Sequence, residues 1–530
     1  MTPAARTAVL LLCALLPAPP ARPAPTSSAE GYPLTLLEAI ESSLEKNERI
    51  VISRESLDSA SEAVRGARGA YDPFLEIEAG WRESTPPLNS AFSGAPPGEL
   101  SPTSESVDAG AALHQLLSTG GELSVRTGVV RATTDGSFTF LSPAYDTFVG
   151  VELRQPLLRD RAIDPFRLNV RLAASERELS DALLRVDVTD TVAAVERAYW
   201  IYVALREAVA VREDAIRLAE EQLEETRARI DSGIAPDTEV AQPLAELERR
   251  RGDLLATQEA VVRAQNALKL LILDDSDDAL WTGEIVPVEA VVVDPVEVDI
   301  ERAIELALAA RPEIEAAAAV IDQREIESRF ASNQVQPALD AVVSYDRFGL
   351  AGSLNPAAST IPGLPTTVPP DLEGSLGRSY GVLGDGDLDD VRAGLVFSIP
   401  LGNRSAKSAA AIARNGERQA AAELTRTRKI VRAEVLDAAA AVETTYQRVE
   451  AARAALDAAR VQLEAEQDRF AAGLSTNFLV LTRQNDLEER RIDEIAARTD
   501  YLNARTAMGR ATGTLLDDLG IDMVDIVEAQ

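Results

Sequence analysis

Two spacings of apolar residues alternate along this chain, and each occurs twice. The first is helical. Stepping back from Gly233, the positions Ile230, Thr226, Leu223, Ala219, Ile216, Arg212, Val209, Leu205 and Tyr202 recur at alternating intervals of about three and four, the seam of a coiled coil. Stepping back from Gly473, the same walk meets Phe470, Glu466, Leu463, Ala459, Leu456, Ala452, Val449, Thr445 and Val442, each displaced by 240 residues without a gap. Both seams run into a predicted hairpin tip, at Arg229 to Pro236 and at Arg469 to Thr476. There Gly233 and Gly473 stand where a chain leaving a helix needs positive φ. The chain is a duplicated coiled-coil hairpin.

A second helical pattern precedes each seam. Leu36, Ala39, Ile40, Leu44, Ile50, Leu57, Ala60, Val64 and Ala67 predict a helix over Leu34 to Tyr71, stopped by Asp72-Pro73. The stretch from Val298 to Gln336 repeats it at an offset of 264, setting Ile304 under Ile40, Leu308 under Leu44, Ile314 under Ile50 and Pro337 under Pro73. After each of these prolines the period changes from helical to two. Leu75, Ile77, Ala79 and Trp81 alternate with Glu76, Glu78 and Gly80, and Val149, Val151 and Leu153 alternate with Gly150, Glu152 and Arg154. The second half answers with Ala338 to Tyr345 and Val391 to Ile399. Strands of about nine residues with one apolar face are the mark of a membrane barrel, although a half-buried strand of a soluble sandwich alternates in the same way. Val107 to Leu117 and Glu122 to Arg131 flank the turn Ser118 to Gly121, so the first half carries four strands if this is a hairpin, against two in the second.

The segments between strands, Glu83 to Glu105 and Asp346 to Asp390, are rich in Pro, Gly and Ser and suit an external surface. Long helices are predicted over Asp164 to Ser232 and Asn403 to Ala472, each on the order of 100 Å. The shorter helices Asp237 to Leu273 and Val298 to Gln336, at about 55 and 58 Å, would together match one long one. The N-terminal helix and Asn477 to Leu519 would form a second such pair. Leu280 to Glu297 and the two chain ends would belt the midpoint.

Composition narrows the function. The 530 residues carry a formal charge of −33, which excludes a nucleic-acid partner because phosphate binding needs clustered Lys and Arg. Residues 1–29 read as a secretory signal, with Arg6, the apolar Ala8 to Leu16 and small residues ending at Ala29. The only cysteine, Cys13, would leave with it. Past the signal no apolar run approaches the roughly twenty residues of a spanning helix, so any membrane passage falls to strands. One histidine, His114, and no cysteine in the exported chain offer neither a metal site nor a catalytic cluster, and no cofactor motif appears. An enzyme is the weaker reading. An exported periplasmic coiled-coil scaffold without a pore would explain the heptads, but not alternating strands set at matching places in both halves. The two structural repeats run from 30 to 297 and from 298 to 530.

The ordered set resembles the TolC-type outer-membrane factors of tripartite efflux pumps and type I secretion systems. The resemblance is carried by Leu36 to Pro73 and Ile300 to Pro337, by Gln155-Pro156-Leu157-Leu158-Arg159 and Ile399-Pro400-Leu401-Gly402 after the strands, and by the Arg-x-x-x-Gly tips. It implies a mostly α architecture with β-strands: a helical tube seated on a β-barrel completed by a homotrimer in the outer-membrane lipid. It further implies docking of the tips, Arg229, Gly233, Arg469 and Gly473, on a periplasmic adaptor and an inner-membrane transporter. Some members carry an acidic ring at the inner constriction, linked by a Tyr and an Arg. The corresponding positions here are Leu479 and Thr482 for the ring, Phe470 for the Tyr and Ser475 for the Arg. A ring of Leu479 would close by dewetting. Glu239 and Arg483 remain as charged constriction candidates, although an exposed helix face is the commoner account of such residues.

Overall fold

A computed structural model describes residues 31–90, 93–234, 236–289, 291–358 and 367–523. The expected signal, 1–29, lies outside the described residues. In chain order the elements are β1 (Tyr32–Leu34), α1 (Leu36–Lys46), α2 (Glu48–Arg68), β2 (Phe74–Ser84), β3 (Ser104–Leu116), β4 (Glu122–Thr134), β5 (Leu141–Pro156), α3 (Pro165–Asp231), α4 (Ala241–Ile272), α5 (Asp278–Thr282), β6 (Ile285–Pro287), α6 (Ile300–Ala310) and α7 (Pro312–Asn333). They continue with β7 (Ala338–Leu354), α8 (Leu376–Asp385), β8 (Asp389–Ser398), α9 (Arg404–Ala471), α10 (Asn477–Thr512) and α11 (Leu515–Asp518).

The two long helices set the frame. Asp164 caps α3 by accepting from the Phe166 and Arg167 amides, and Pro165 at the first position fixes φ for the helix. In the half near the sheet, four helices lie abreast in the order α2, α3, α7, α9. In the other half the order is α4, α3, α10, α9. The end-to-end partners differ from the sequence expectation. α4 ends against the N-terminal helices, where Ser42 and Asn47 donate to the Ile272 and Leu271 carbonyls, 2.6 and 3.1 Å. α10 ends against α6 and α7, where Arg311 donates to the Ala511 carbonyl. The side of α3 on which each short helix packs, not its order in the chain, decides the partner.

Both upper helices are broken where one continuous helix was expected. The breaks fall at Asn47 and Arg311, again 264 residues apart, with nearly equal extended dihedrals (φ −67, ψ 124 and φ −70, ψ 121). Asn47 caps α2 through its side chain, and Pro312 starts α7 without an amide to satisfy. Arg311 is buried and ion-paired to Glu313 (2.6 Å) and Glu434 (2.8 Å), which ties the break to α9. The belt forms as expected: β1 pairs in parallel with β6, and Tyr199 of α3 donates to the Leu34 carbonyl and to Glu289.

The strands form one antiparallel sheet in the order β2-β3-β4-β5-β7-β8. The segment Ser104–Thr134 is thus a hairpin inside the sheet, and the first half does carry four strands. The repeat offset falls from 264 before the strands to 240 after them because this hairpin has no counterpart in the second half. β7 runs further than expected, to Leu354, and α8 lies within the stretch read as loop. α8 packs on β7 and β5, its Ser379 hydroxyl 2.8 Å from that of Thr147.

Acid should loosen the break at Arg311. Burial is the largest influence and raises the Glu313 pKa, but the hydrogen bonds from Arg311 and from the Glu313 amide, with the charges of Arg311 and Arg510, together outweigh it and hold it below the ordinary 4.5. The pair's contribution is therefore full above pH 4.5 and lost as pH falls through the lower folded value. Hydrogen exchange in α6 and α7 should accelerate as pH drops below 4.5, after correction for intrinsic exchange. Acceleration with rising pH would contradict this.

Candidate functional site

The sheet presents two chemically different faces. Register places Leu75, Ile77, Ala79 and Trp81 of β2 opposite Leu113, Ala111, Ala109 and Val107 of β3. The same face continues through Val125, Thr127 and Val129, then Val151, Val149 and Leu153, then Val343 and Tyr345, and ends at Ala393, Val391, Leu395 and Phe397. Much of this apolar band is exposed: Ile77 at 74%, Val391 and Leu395 at 68%. An exposed apolar surface spanning six strands suits a lipid contact. The opposite face carries Glu76, Glu78, Asp108, His114, Arg126, Glu152, Arg154, Asp340, Asp346 and Arg392. There Arg126 holds both oxygens of Asp346 (2.9 and 3.1 Å), and Arg154 holds Asp340 (2.6 Å). His114 lies 3.9 Å from Glu76 and 3.6 Å from Glu122. No group of three metal-ligating side chains occurs among the described residues.

At the far end the two tips are built alike. The Gly233 and Ile234 amides donate to Ile230 and Arg229 (2.8 and 2.9 Å), and the Gly473 and Leu474 amides to Phe470 and Arg469 (3.0 and 2.8 Å). Gly233 and Gly473 have φ of +76° and +74°, and nothing lies within 4 Å of where a Cβ would stand. Ile234 and Leu474 beside them are exposed. The hairpins meet just behind. The Arg229 guanidinium lies 4.8 Å over the Phe470 ring, and Asn477 donates to Thr226 (3.2 Å). Ser475 donates to Glu466, which is also 3.6 Å from Arg469.

The constriction candidates are only partly brought together. Leu479, Thr482 and Arg483 lie in the first turns of α10, beside the exposed Phe478. Thr482 bonds back to the Phe478 carbonyl (2.8 Å). Arg483 pairs with Asp486 (2.9 Å), a carboxylate three residues on and about two turns behind Leu479 that was not among the sequence candidates. Glu239 lies exposed in the short turn Asp237–Val240 of the other hairpin.

Seams within a hairpin differ from the seam between hairpins. Leu456, Leu463 and Phe470 of α9 pack on Val480 and Leu487 of α10, and Ala219 and Leu223 of α3 on Leu247 of α4. Between α3 and α10, apart from Leu502 in the apolar cluster of α3, a line of polar contacts runs along the seam: Thr226–Asn477, Arg212–Glu488, Asp214–Arg491, Glu207–Arg498 and Asp190–Arg510. Their centre is Arg250 of α4, fully buried, which bonds Glu246 (3.0 Å), the Ala215 carbonyl (2.5 Å) and Asn485 (2.7 Å) and lies 3.8 Å from Glu488. Arg250 stands in the run Arg249 to Arg251, and nothing in that run distinguishes the buried arginine from its exposed neighbours.

Residues 122–272 and 303–514 match the outer membrane efflux protein family. The chain belongs to that family. Brucella suis outer membrane efflux protein BepC is 26% identical over 380 residues, covering 71% of this chain and 74% of that one. Two solved structures share the fold: the outer membrane channel CmeC of Campylobacter jejuni (TM-score 0.61, 15% identity, 92% of this chain and 90% of that) and the outer membrane protein VceC of Vibrio cholerae (TM-score 0.61, 17% identity, 90% and 96%). As an outer membrane efflux protein, the chain places its sheet in the membrane and its helices in the periplasm. Its family is one of transport.

Truncating Arg250 to Ala should leave the Ala215 carbonyl and the Asn485 side-chain oxygen without their donor, while Glu246 and Glu488 keep Arg249 and Arg212, at a cost of about 1–3 kcal/mol. Thermal unfolding of the helical part should shift strongly downward, and an unshifted transition would show that the node carries no weight. Phe470→Ala should cost about 3–5 kcal/mol by cavity formation and also release Arg229. Hydrogen exchange at residues 226–234 would then rise, although the substitution is in the other hairpin; exchange changing only around 470 would contradict the latch.

Proposed function

We propose that three copies of the chain close a single outer-membrane pore continued by a helical periplasmic tube, the exit duct of a tripartite efflux pump. The carrying observation is the sheet itself: one face apolar, the other charged, and the outer sides of both edge strands, β2 and β8, without a partner strand among the described residues. Open edges in hydrocarbon demand partners, and identical copies supply complementary ones. Efflux is favoured over type I secretion by the family description and by the Brucella relative's name. No chemical step and no cofactor are part of this function.

The tips at Arg229–Gly233 and Arg469–Gly473 dock on a periplasmic adaptor and, with it, on an inner-membrane transporter. Support comes from the two positive-φ glycines, each with open space and an exposed apolar neighbour at the end of the coiled coil. Leu479 lines the closed inner end and bars ions by dewetting, with Thr482, Arg483 and Glu239 around it. Each tip glycine is also a helix C-cap.

Removing the protein from its cell should raise susceptibility to amphipathic drugs and dyes; unchanged susceptibility across such compounds would contradict efflux. Leu479→Ala should raise ion leak through the isolated channel in a planar bilayer, whereas unchanged leak would remove this gate. A large residue at Gly473 must adopt a left-handed backbone, a local cost of about 1–2 kcal/mol. Gly473→Trp should abolish transport while assembly persists, and normal transport by the assembled variant would argue against docking there.

A further inference from the structure

The hairpin β3–β4 breaks the internal symmetry of the chain. The second repeat contributes β7 and β8 alone, and the first would match it with β2 and β5. Two strands from each repeat give four per copy and twelve in a three-copy wall. The hairpin is instead stitched into the sheet between β2 and β5, with continuous register on both sides. Its apolar side chains Val107, Ala109, Ala111, Val125 and Val129 fall on the same face as the band on the other four strands. Its inner turn is seated on the base of the helices. A Cβ at Gly120 would stand 2.5 Å from the Arg167 guanidinium and 2.8 Å from the Asp160 carbonyl, and Thr119 exchanges hydrogen bonds with Gln155 (2.8 and 3.1 Å).

We infer that β3–β4 is a wall insertion that widens the pore, so that three copies close eighteen strands and the membrane part matches the helical tube in girth. The inference rests on the three-copy reading above. Each copy presents four helices abreast, so three present twelve. With axes about 8–10 Å apart their ring measures about 96–120 Å. A strand spaced about 4.8 Å from its neighbour and tilted about 40° takes about 6 Å of circumference. Eighteen such strands need about 113 Å, within the range of the helical ring, whereas twelve need about 75 Å. With the hairpin in the wall, the tube opens into the barrel without narrowing. The size limit on cargo then falls at the inner tips, and the charged face bearing Arg126, Asp346, Arg154 and Asp340 lines a water-filled passage.

Two experiments on the full-length protein test this. A symmetric electron cryo-microscopy reconstruction of the wild-type particle in a lipid nanodisc should count eighteen strands. Three copies with twelve strands in the wall would overturn the widening and leave the assembly standing, and a particle of another copy number would overturn both. Single cysteines can be read against a clean background, since Cys13 lies in the expected leader. In native membranes a charged maleimide should label Ser106→Cys and Asp108→Cys, on the polar face, about tenfold or more faster than Ala109→Cys and Ala111→Cys, because the reactive thiolate needs water. Equal labelling at all four would place the hairpin outside the wall.

Discussion

In hydrocarbon a backbone amide or carbonyl without a partner costs several kcal/mol, and no water is present to relieve it. This one constraint organises the chain. No described helix is long and apolar enough to cross a membrane. The exposed apolar band marks the sheet for that passage, and six strands with two open edges cannot make it alone. The apolar band needs lipid, the edges need each other, and the helices entering the sheet must follow the circle that results. The equatorial belt, the end-to-end stacking at Ile272 and Ala511 and the paired breaks at Asn47 and Arg311 are what a flat pair of repeats needs to become a segment of a tube.

The helical part divides its chemistry by task. Apolar seams of Leu456, Leu463 and Phe470 in one hairpin, and of Ala219, Leu223 and Leu247 in the other, make each hairpin a stiff unit. The ion pairs and amide contacts between α3 and α10 join the units through groups that water can also satisfy. Arg250 is the exception: buried between three helices, it is costly to strip of its partners and so pins the hairpins at one level. Beyond it the join thins to Arg229 on Phe470 and Asn477 on Thr226, at the end where we propose the channel closes.

Most of this architecture was legible because its signals are local periods. Ile230 to Tyr202 and its image at 240 residues' distance read as a seam, Leu75 to Trp81 as a strand, and Gly233 and Gly473 as helix ends, each within a window of a few turns. What escaped depends on contacts between distant segments. Asn47 and Arg311 continue the helical spacing on either side, and only the cap of Asn47 and Pro312 betray the breaks. Arg212 and Glu466 are polar residues at seam positions and both are paired, whereas Arg250, in a run of three arginines, carries no mark of burial in the sequence. The partner of each short helix is fixed by the face of α3 it packs on, and chain order misled. α8 is short, flanked by Gly and Pro, and identified only by its packing on β5 and β7.

The account stands most directly on the mass and detergent dependence of the native particle, measured by sedimentation or native mass spectrometry after outer-membrane fractionation. It predicts three chains that stay together in detergent and resist extraction by salt or alkali. A water-soluble monomer or dimer would contradict it, leaving the coiled coils without a pore.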